Sequence, residues 1–305
     1  MVRRARVLLA VALTAALTVA FQSPSSATSA QPVQAFYTPS GPYPTTTGTV
    51  TVDGTVAYDL FYPAHYDGLH FLSPVVTWGN GTGAGPDDYT TLLTHFASYG
   101  FTVIASTLTN TGSGREIDAA AHYLLAQDST PGNVFFGHLD VHDVAAVGHS
   151  QGATGATRAA TSDPDVITTL MTFSLPAQIW SLPNPDCATA ADCTPHPGLV
   201  RHPVFFVSTH GPEDAFISSP GVDHAYLARV PGHGVSGIIT TSGGKTADHS
   251  TPEDQSSGGD PTGVLGYATA WLEAQLRHNV YAATAFWGPH PEILSNPDWP
   301  GSEVK

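Results

Sequence analysis

Between an apolar run, Val144-Ala145-Ala146-Val147, and a stretch of small helix-compatible residues, Gln151 to Ala160, the chain has room for a single tight turn, Gly148-His149-Ser150-Gln151-Gly152. A strand that hands over to a helix across so few residues must let that helix fold back onto the sheet. Glycines on either side of the turn are what such a handover needs, because a side chain there would collide with the neighbouring strand and helix. Any architecture for this chain must accommodate a serine standing at the end of a buried strand and at the start of a helix.

The rest of the sequence repeats the same alternation. Thr49 to Tyr62 alternates and is β-branched, with Asp53-Gly54 in its middle, which predicts a hairpin or two paired strands. Residues 31–49 read as an extended lead-in rich in Pro, Thr and Gly. Ser73 to Trp78 is a short buried strand, Tyr89 to Tyr99 a helix, and Phe101 to Ala105 a strand. Arg115 to Gln127 is helical, and Asp143 to Val147 is the strand that feeds the turn at Ser150. Val166 to Phe173, Val204 to Ser208 and Val235 to Thr241 are further strands, and Gly266 to His278 is a closing amphipathic helix. Strands alternating with helices imply an α/β fold with a mostly parallel central sheet covered on both faces. No internal repeat and no linker divides 31–305, so one domain is expected there. Segments 181–203 and 242–263 read as long loops.

The first thirty residues belong to a different class of signal. Arg3, Arg4 and Arg6 precede an apolar run from Val7 to Ala20, and small residues follow to Ala30. That order is the order of a secretory signal peptide, with cleavage after Ala27 or Ala30. The run is short for a bilayer span, which needs about 20 residues, so no stable membrane insertion is expected. The expected location is therefore extracellular. Cys187 and Cys193 flank a short polar loop, and export makes a disulfide between them the natural reading, worth ~2 kcal/mol for so small a ring. With 10 Lys+Arg against 25 Asp+Glu the formal charge is −15, which repels phosphate backbones and argues against a nucleic-acid partner.

A serine hydroxyl becomes a nucleophile only when a base takes its proton, and the base needs an acid to orient it. The acid is expected after the next-to-last core strand, where Glu213 and Asp214 stand, and the base in a loop beyond the acid. His224, His233 and His249 follow in the chain. His224 falls in a helix and His233 just ahead of the last strand, whereas His249 lies between that strand and the final helix, so the order favours His249. One oxyanion donor is expected from the N–H of Gln151, the residue after the serine. A second is expected from the loop Gly79-Asn80-Gly81-Thr82-Gly83. The run His138, Asp140, His142, Asp143 has metal-binding side chains, but no His-Glu-x-x-His pattern occurs. It reads as a polar loop at the far end of the sheet, so no metal and no cofactor are expected.

With its turn at Ser150, the loop after Val75-Val76-Thr77-Trp78 and the run Phe96 to Ile104, the chain resembles the α/β-hydrolase family. Within it, the likeness is to secreted bacterial cutinase-like and polyester-hydrolase-like serine esterases. The resemblance covers about Val50 to Trp287 and implies the α/β-hydrolase fold, a Ser150, Asp214 and His249 triad, and a monomer acting on an ester or polyester substrate. It favours Asp214 over Glu213 through Asp214-Ala215-Phe216-Ile217, and Asn80 over Gly81 as the second oxyanion donor. It also implies Trp180 as a substrate contact. Gln151 stands where such esterases often carry Met, and Ala153 where a further Gly is common. A catalytically silent extracellular binding protein and a secreted serine peptidase on the same scaffold remain as alternatives.

Overall fold

The computed structural model describes residues 31–181, 189, 193–254 and 258–305. The expected leader and Cys187 lie outside the described residues, whereas Cys193 is buried.

Nine strands form one sheet. The hairpin β1 (Thr45–Val52) and β2 (Thr55–Pro63) turns at Asp53-Gly54, and β2 runs antiparallel to its neighbour β4. Six strands then run parallel: β4 (Thr102–Ser106), β3 (Ser73–Gly79), β5 (Leu139–His149), β6 (Thr169–Phe173), β7 (Val204–Thr209) and β8 (Gly234–Ile239). A small hairpin, β9 (Thr241–Ser242) and β10 (Lys245–Thr246), follows, and β11 (Glu303–Val304) closes the sheet antiparallel to β8. The protein is thus α/β with a large, mostly parallel central sheet.

Alternation within each buried strand sorts its side chains onto two faces. On one, Val76, Trp78, Val103, Val147, Phe173 and Phe205 meet Leu92, Leu93 and Phe96 of α2 (Thr90–Ser98). Tyr267 and Trp271 of α7 (Thr262–Leu276) complete that face, with α1 (Val33–Tyr37) and α8 (Val280–Ala283) beside it. On the other, Val75, Ile104, Val144, Leu170 and Phe206 meet α3 (Arg115–Asp128), α4 (Gln151–Ser162) and α6 (Pro220–Arg229). A short α5 (Asp214–Ile217) sits between β7 and α6.

Several expected boundaries shift for identifiable reasons. The lead-in is not wholly extended, since α1 occupies Val33–Tyr37, anchored by Glu292, whose carboxylate accepts the N–H groups of Val33 and Gln34. The closing helix starts at Thr262 and ends at Leu276 rather than spanning Gly266 to His278. Gly266 is an interior residue there because a Cβ would lie 2.4 Å from the Gln34 carbonyl oxygen, so α1 and α7 can touch only at glycine. The strand β5 begins at Leu139, so Asp140, His142 and Asp143 stand in a strand and not in a polar loop. Its pairing with β3 slips between Pro74 and Val75, where Pro74 has no N–H to give the ladder.

Trp271 anchors the first face, as Trp78 and Trp299 also do. It is fully buried, its Nε1 donates to Thr169 Oγ1 at 3.0 Å, and its ring lies against Phe205, Phe286 and Trp287. Trp271→Ala is expected to cost ~3–5 kcal/mol in a urea titration. A cost below about 1 kcal/mol would mean that this face is not the packed core described.

Candidate active site

The order of the parallel strands reverses between β3 and β5. From β3 the chain moves outward to β4, then returns to place β5 on the other side. Loops leaving adjacent strands toward opposite sides open a crevice at the carboxyl edge of such a sheet. Asn80 follows β3 and Ser150 follows β5, so both face this crevice.

Ser150 has φ 53° and ψ −121°, a left-handed conformation that a non-glycine residue adopts at a cost of about 1–3 kcal/mol. The turn closes because its flanks carry no side chains. A Cβ on Gly148 would lie 2.3 Å from the Gly152 carbonyl oxygen, and one on Gly152 would lie 2.1 Å from that of Gly79. The Ser150 hydroxyl is held at the start of α4, whose first N–H groups have no intrahelical acceptor.

The structure brings the three sequence-selected side chains into one chain of hydrogen bonds. Ser150 Oγ lies 2.9 Å from His249 Nε2, and His249 Nδ1 lies 2.7 Å from Asp214 Oδ1. Asp214 is fully buried. Its Oδ1 also accepts the Ser218 hydroxyl at 2.6 Å. Its Oδ2 accepts the hydroxyls of Ser174 and Thr209, both at 2.8 Å, and the Thr209 N–H at 3.1 Å. Burial alone would raise this carboxyl, but the hydrogen bond and charge of His249, with the Ser218 and Thr209 hydroxyls, outweigh it and hold the pKa below the ordinary value. An ionised carboxylate can only accept, so toward Asp214 the imidazole donates from Nδ1.

The other candidates are elsewhere. Glu213 is exposed at the start of α5 and points its backbone N–H, not its carboxylate, into the site. His233 precedes β8, exposed, with Nδ1 3.4 Å from the Lys305 carbonyl oxygen. His224 lies 3.5 Å from Glu303.

The loop after β3 is fixed by its own side chain. Asn80 Nδ2 donates to the carbonyls of Ser106 and Leu108 at 2.6 and 3.0 Å, and Oδ1 accepts Trp78 Nε1 at 3.1 Å. Gly81 gives its N–H to the Tyr89 hydroxyl at 2.9 Å, so that N–H is spent inside the protein. The expected donor Asn80 directly follows β3, one residue before Gly81. The Gln151 side chain is engaged on the other flank, accepting the Thr111 N–H at 2.9 Å.

Trp180 is half-exposed and donates Nε1 to the Phe216 carbonyl at 2.7 Å. Phe216, two residues past the acid, and Ile179 are more exposed still. On the Asn80 side, Leu108 is exposed as well.

Sequence reasoning missed the residues that hold this arrangement. Asp248 Oδ1 accepts the N–H groups of His249, Glu213 and Asp214 at 2.8, 3.0 and 3.3 Å, which ties the loop of the base to the loop of the acid. Its adjacency to His249 was the available signal. Ser174, Thr209 and Ser218 carry no spacing that marks them, although Ser174 follows a strand end as Ser150 does and shares its positive φ of 51°. His149, within the turn itself, is buried with Nε2 2.9 Å from the His249 carbonyl oxygen, and burial followed by the charge of His249 push its pKa down to about 3.

A second buried carboxyl, Asp223 on α6, lies behind the acid. Burial, then the charge of Asp214, push it well above the carboxylate range, against a smaller pull from the Ser208 hydroxyl, which is near but outside hydrogen-bond geometry. Its proton is therefore held more tightly than that of Asp214, whose pKa moves the other way.

His138 caps the far end of the sheet, its ring stacked on Tyr66. Metal-type side chains converge instead at Asp118, His122 and Asp163 on the outer surface, where His122 Nε2 lies 2.7 Å from Asp163 Oδ2. That cluster is remote in the fold from the crevice. Among the described residues no helix is long and apolar enough to cross a membrane. Compared with known proteins, the chain matches no protein-family model and no curated protein.

Because folded Asp223 holds a proton that the unfolded chain releases above about pH 4, stability falls as pH rises from there toward the raised folded pKa. Asp223→Asn removes that slope. Its Tm is expected to gain on the parent's as pH rises from about 4. A gain that does not grow with pH would contradict a raised Asp223 pKa.

Proposed function

We propose that the chain is a serine hydrolase of the α/β-hydrolase type that cleaves carboxylic ester bonds through an acyl-enzyme. The observation that carries this reading is the unbroken chain Ser150 Oγ, His249 Nε2, His249 Nδ1, Asp214 Oδ1, at 2.9 and 2.7 Å, on a strained strand-to-helix turn.

Ser150 Oγ attacks the ester carbonyl carbon while His249 Nε2 takes its proton. The resulting imidazolium is stabilised by Asp214, whose five hydrogen-bond donors keep it ionised and immobile. The carbonyl oxygen, now an oxyanion, accepts the N–H groups of Gln151 and Asn80, with the N-terminus of α4 adding its positive end. Collapse of the tetrahedral intermediate breaks the C–O bond, and His249 returns its proton to the leaving alcohol. Water then attacks the acyl-Ser150 carbonyl, with His249 again as base, and releases the acid.

An apolar acyl or polymer chain suits the surroundings. Leu108, whose carbonyl accepts from Asn80, and Ile179, Trp180 and Phe216, in the segments beside Asp214, expose apolar surface. Trp180 is the proposed substrate contact, with Phe216 beside it. Export, supported by the basic and apolar order of residues 3–20, fits a polymeric or lipid-like ester met outside the cell.

Ser150→Ala is expected to lower kcat for p-nitrophenyl butyrate by about 10⁴-fold or more with an unchanged thermal melt. Asp214→Asn is expected to lose about 10⁴-fold by misorienting the imidazole. A diethyl phosphonate ester should label Ser150 in the parent protein and nothing in Ser150→Ala. Wild-type turnover by Ser150→Ala, or no labelling of the parent, sinks the hydrolase reading and leaves the silent binding protein.

A further inference from the structure

The loop that carries the second oxyanion donor and the loop that carries the base are joined by a buried chain of hydrogen bonds that the hydrolytic steps do not use. Gly81 N–H donates to the Tyr89 hydroxyl oxygen at 2.9 Å. The Tyr89 hydroxyl lies 2.9 Å from His149 Nδ1. His149 Nε2 lies 2.9 Å from the carbonyl oxygen of His249.

The direction of this chain follows from chemistry. A carbonyl oxygen can only accept, so His149 Nε2 carries a hydrogen. The ring is buried and neutral, so Nδ1 is bare and must accept. Tyr89 accepts from Gly81 with its oxygen and offers its one hydrogen to His149 Nδ1 and the Glu253 carboxylate, which both face it. Burial, then the charge of Glu253, keep the phenol protonated. Glu253 is the carboxylate facing this chain, with Oε1 3.4 Å from His149 Nδ1. Each donor meets an acceptor from the oxyanion loop to the base.

The close approach is built into the sequence. A Cβ on Gly81 would lie 2.9 Å from the Tyr89 hydroxyl and 3.0 Å from His149 Nδ1. Tyr89 is fully buried, with its ring 4.8 Å from that of Trp78, and the rings of His149 and His249 are 4.9 Å apart.

We infer that Gly81, Tyr89 and His149 form a positioning bridge that holds the oxyanion loop and the backbone of His249 in fixed register, so that both meet the transition state together. The inference rests on the hydrolase reading. Tyr89 and His149 touch no substrate in this scheme; they act through Asn80 on one side and His249 on the other. Loosening either end misplaces a group needed only in the transition state, so the loss should appear in kcat and not in KM.

Two measurements on the full chain test this. In long-range ¹⁵N spectra of the histidine side chains, His149 should remain in the neutral Nε2–H form from about pH 5 to pH 8. A ring that titrates in that range, or that carries its proton on Nδ1, overturns the bridge without reference to activity. In kinetics normalised by phosphonate-labelled sites, Tyr89→Phe and His149→Leu should each lower kcat about tenfold with KM within about twofold. The double variant should lose no more than the worse single one, because one chain is cut only once. His149→Gln, whose amide can both donate and accept, should recover part of the His149→Leu loss. Wild-type kcat in Tyr89→Phe, additive losses in the double variant, or losses confined to KM overturn the proposal. If the parent protein fails to react with the phosphonate, the hydrolase reading falls, while the His149 spectrum still decides whether the bridge exists.

Discussion

The close approach of three backbone segments at Gly79, Gly148 and Gly152 is the constraint on which the rest of the site depends. A methyl group on Gly148 or Gly152 would lie within 2.3 Å of a backbone oxygen, and backbone cannot swing aside as a side chain can. That contact seats the start of α4 against the end of β3. It thereby sets the Asn80 loop beside Ser150 and lets the serine occupy a conformation it would not choose alone. The strain at Ser150 is sustained because β5 and α4 are both buried and over-determine the turn between them.

Electrostatics explain why the groups around the serine differ so much in charge. Asp214, His149 and Asp223 are all buried, yet only Asp214 is shifted toward its charged form. Asp214 has hydroxyl, amide and imidazole donors on both oxygens, which stabilise its charge. Asp223 has no such set among the described residues, and burial raises its pKa. A charge on Asp223 would repel that on Asp214, so holding Asp223 toward its neutral form spares Asp214 that repulsion. A charged His149 would likewise compete with His249 for the stabilisation that Asp214 offers an imidazolium.

Much of this arrangement is legible in the sequence because it depends on chain order. In a parallel sheet, each functional side chain sits in the loop after a strand, so Ser150 after β5, Asp214 after β7 and His249 after β8 can be placed once the strands are recognised. The apolar strands are recognisable because both of their faces are buried. The supporting contacts obey no such rule. Ser174, Ser218 and Thr209 are ordinary polar residues whose common target, Asp214, is known only when the loops are folded. The helix start at Thr262 was equally hidden, since Gly263 and Gly266 lower helix propensity while their reason for being there is packing against distant segments, the Ser242 hydroxyl and Gln34 respectively.

The same distinction separates what the turn motif requires from what this chain adds to it. The glycines on either side of Ser150 are demanded by close backbone approach alone, whereas no such contact dictates an imidazole at 149. Here the position is filled by an imidazole whose two nitrogens are both engaged, one by the His249 carbonyl and one by a tyrosine that also holds Gly81. An apolar residue at 149 would pack as well but would leave the His249 carbonyl and the Tyr89 hydroxyl without these partners in a buried environment, at about 1–3 kcal/mol for each group left unsatisfied. Burying a polar ring costs desolvation, and that cost is offset only because all the partners are in place together. The bridge is thus as much a consequence of the fold as a support to it: β5 delivers His149, α2 begins beside Tyr89, and the loop after β8 delivers the carbonyl that completes it.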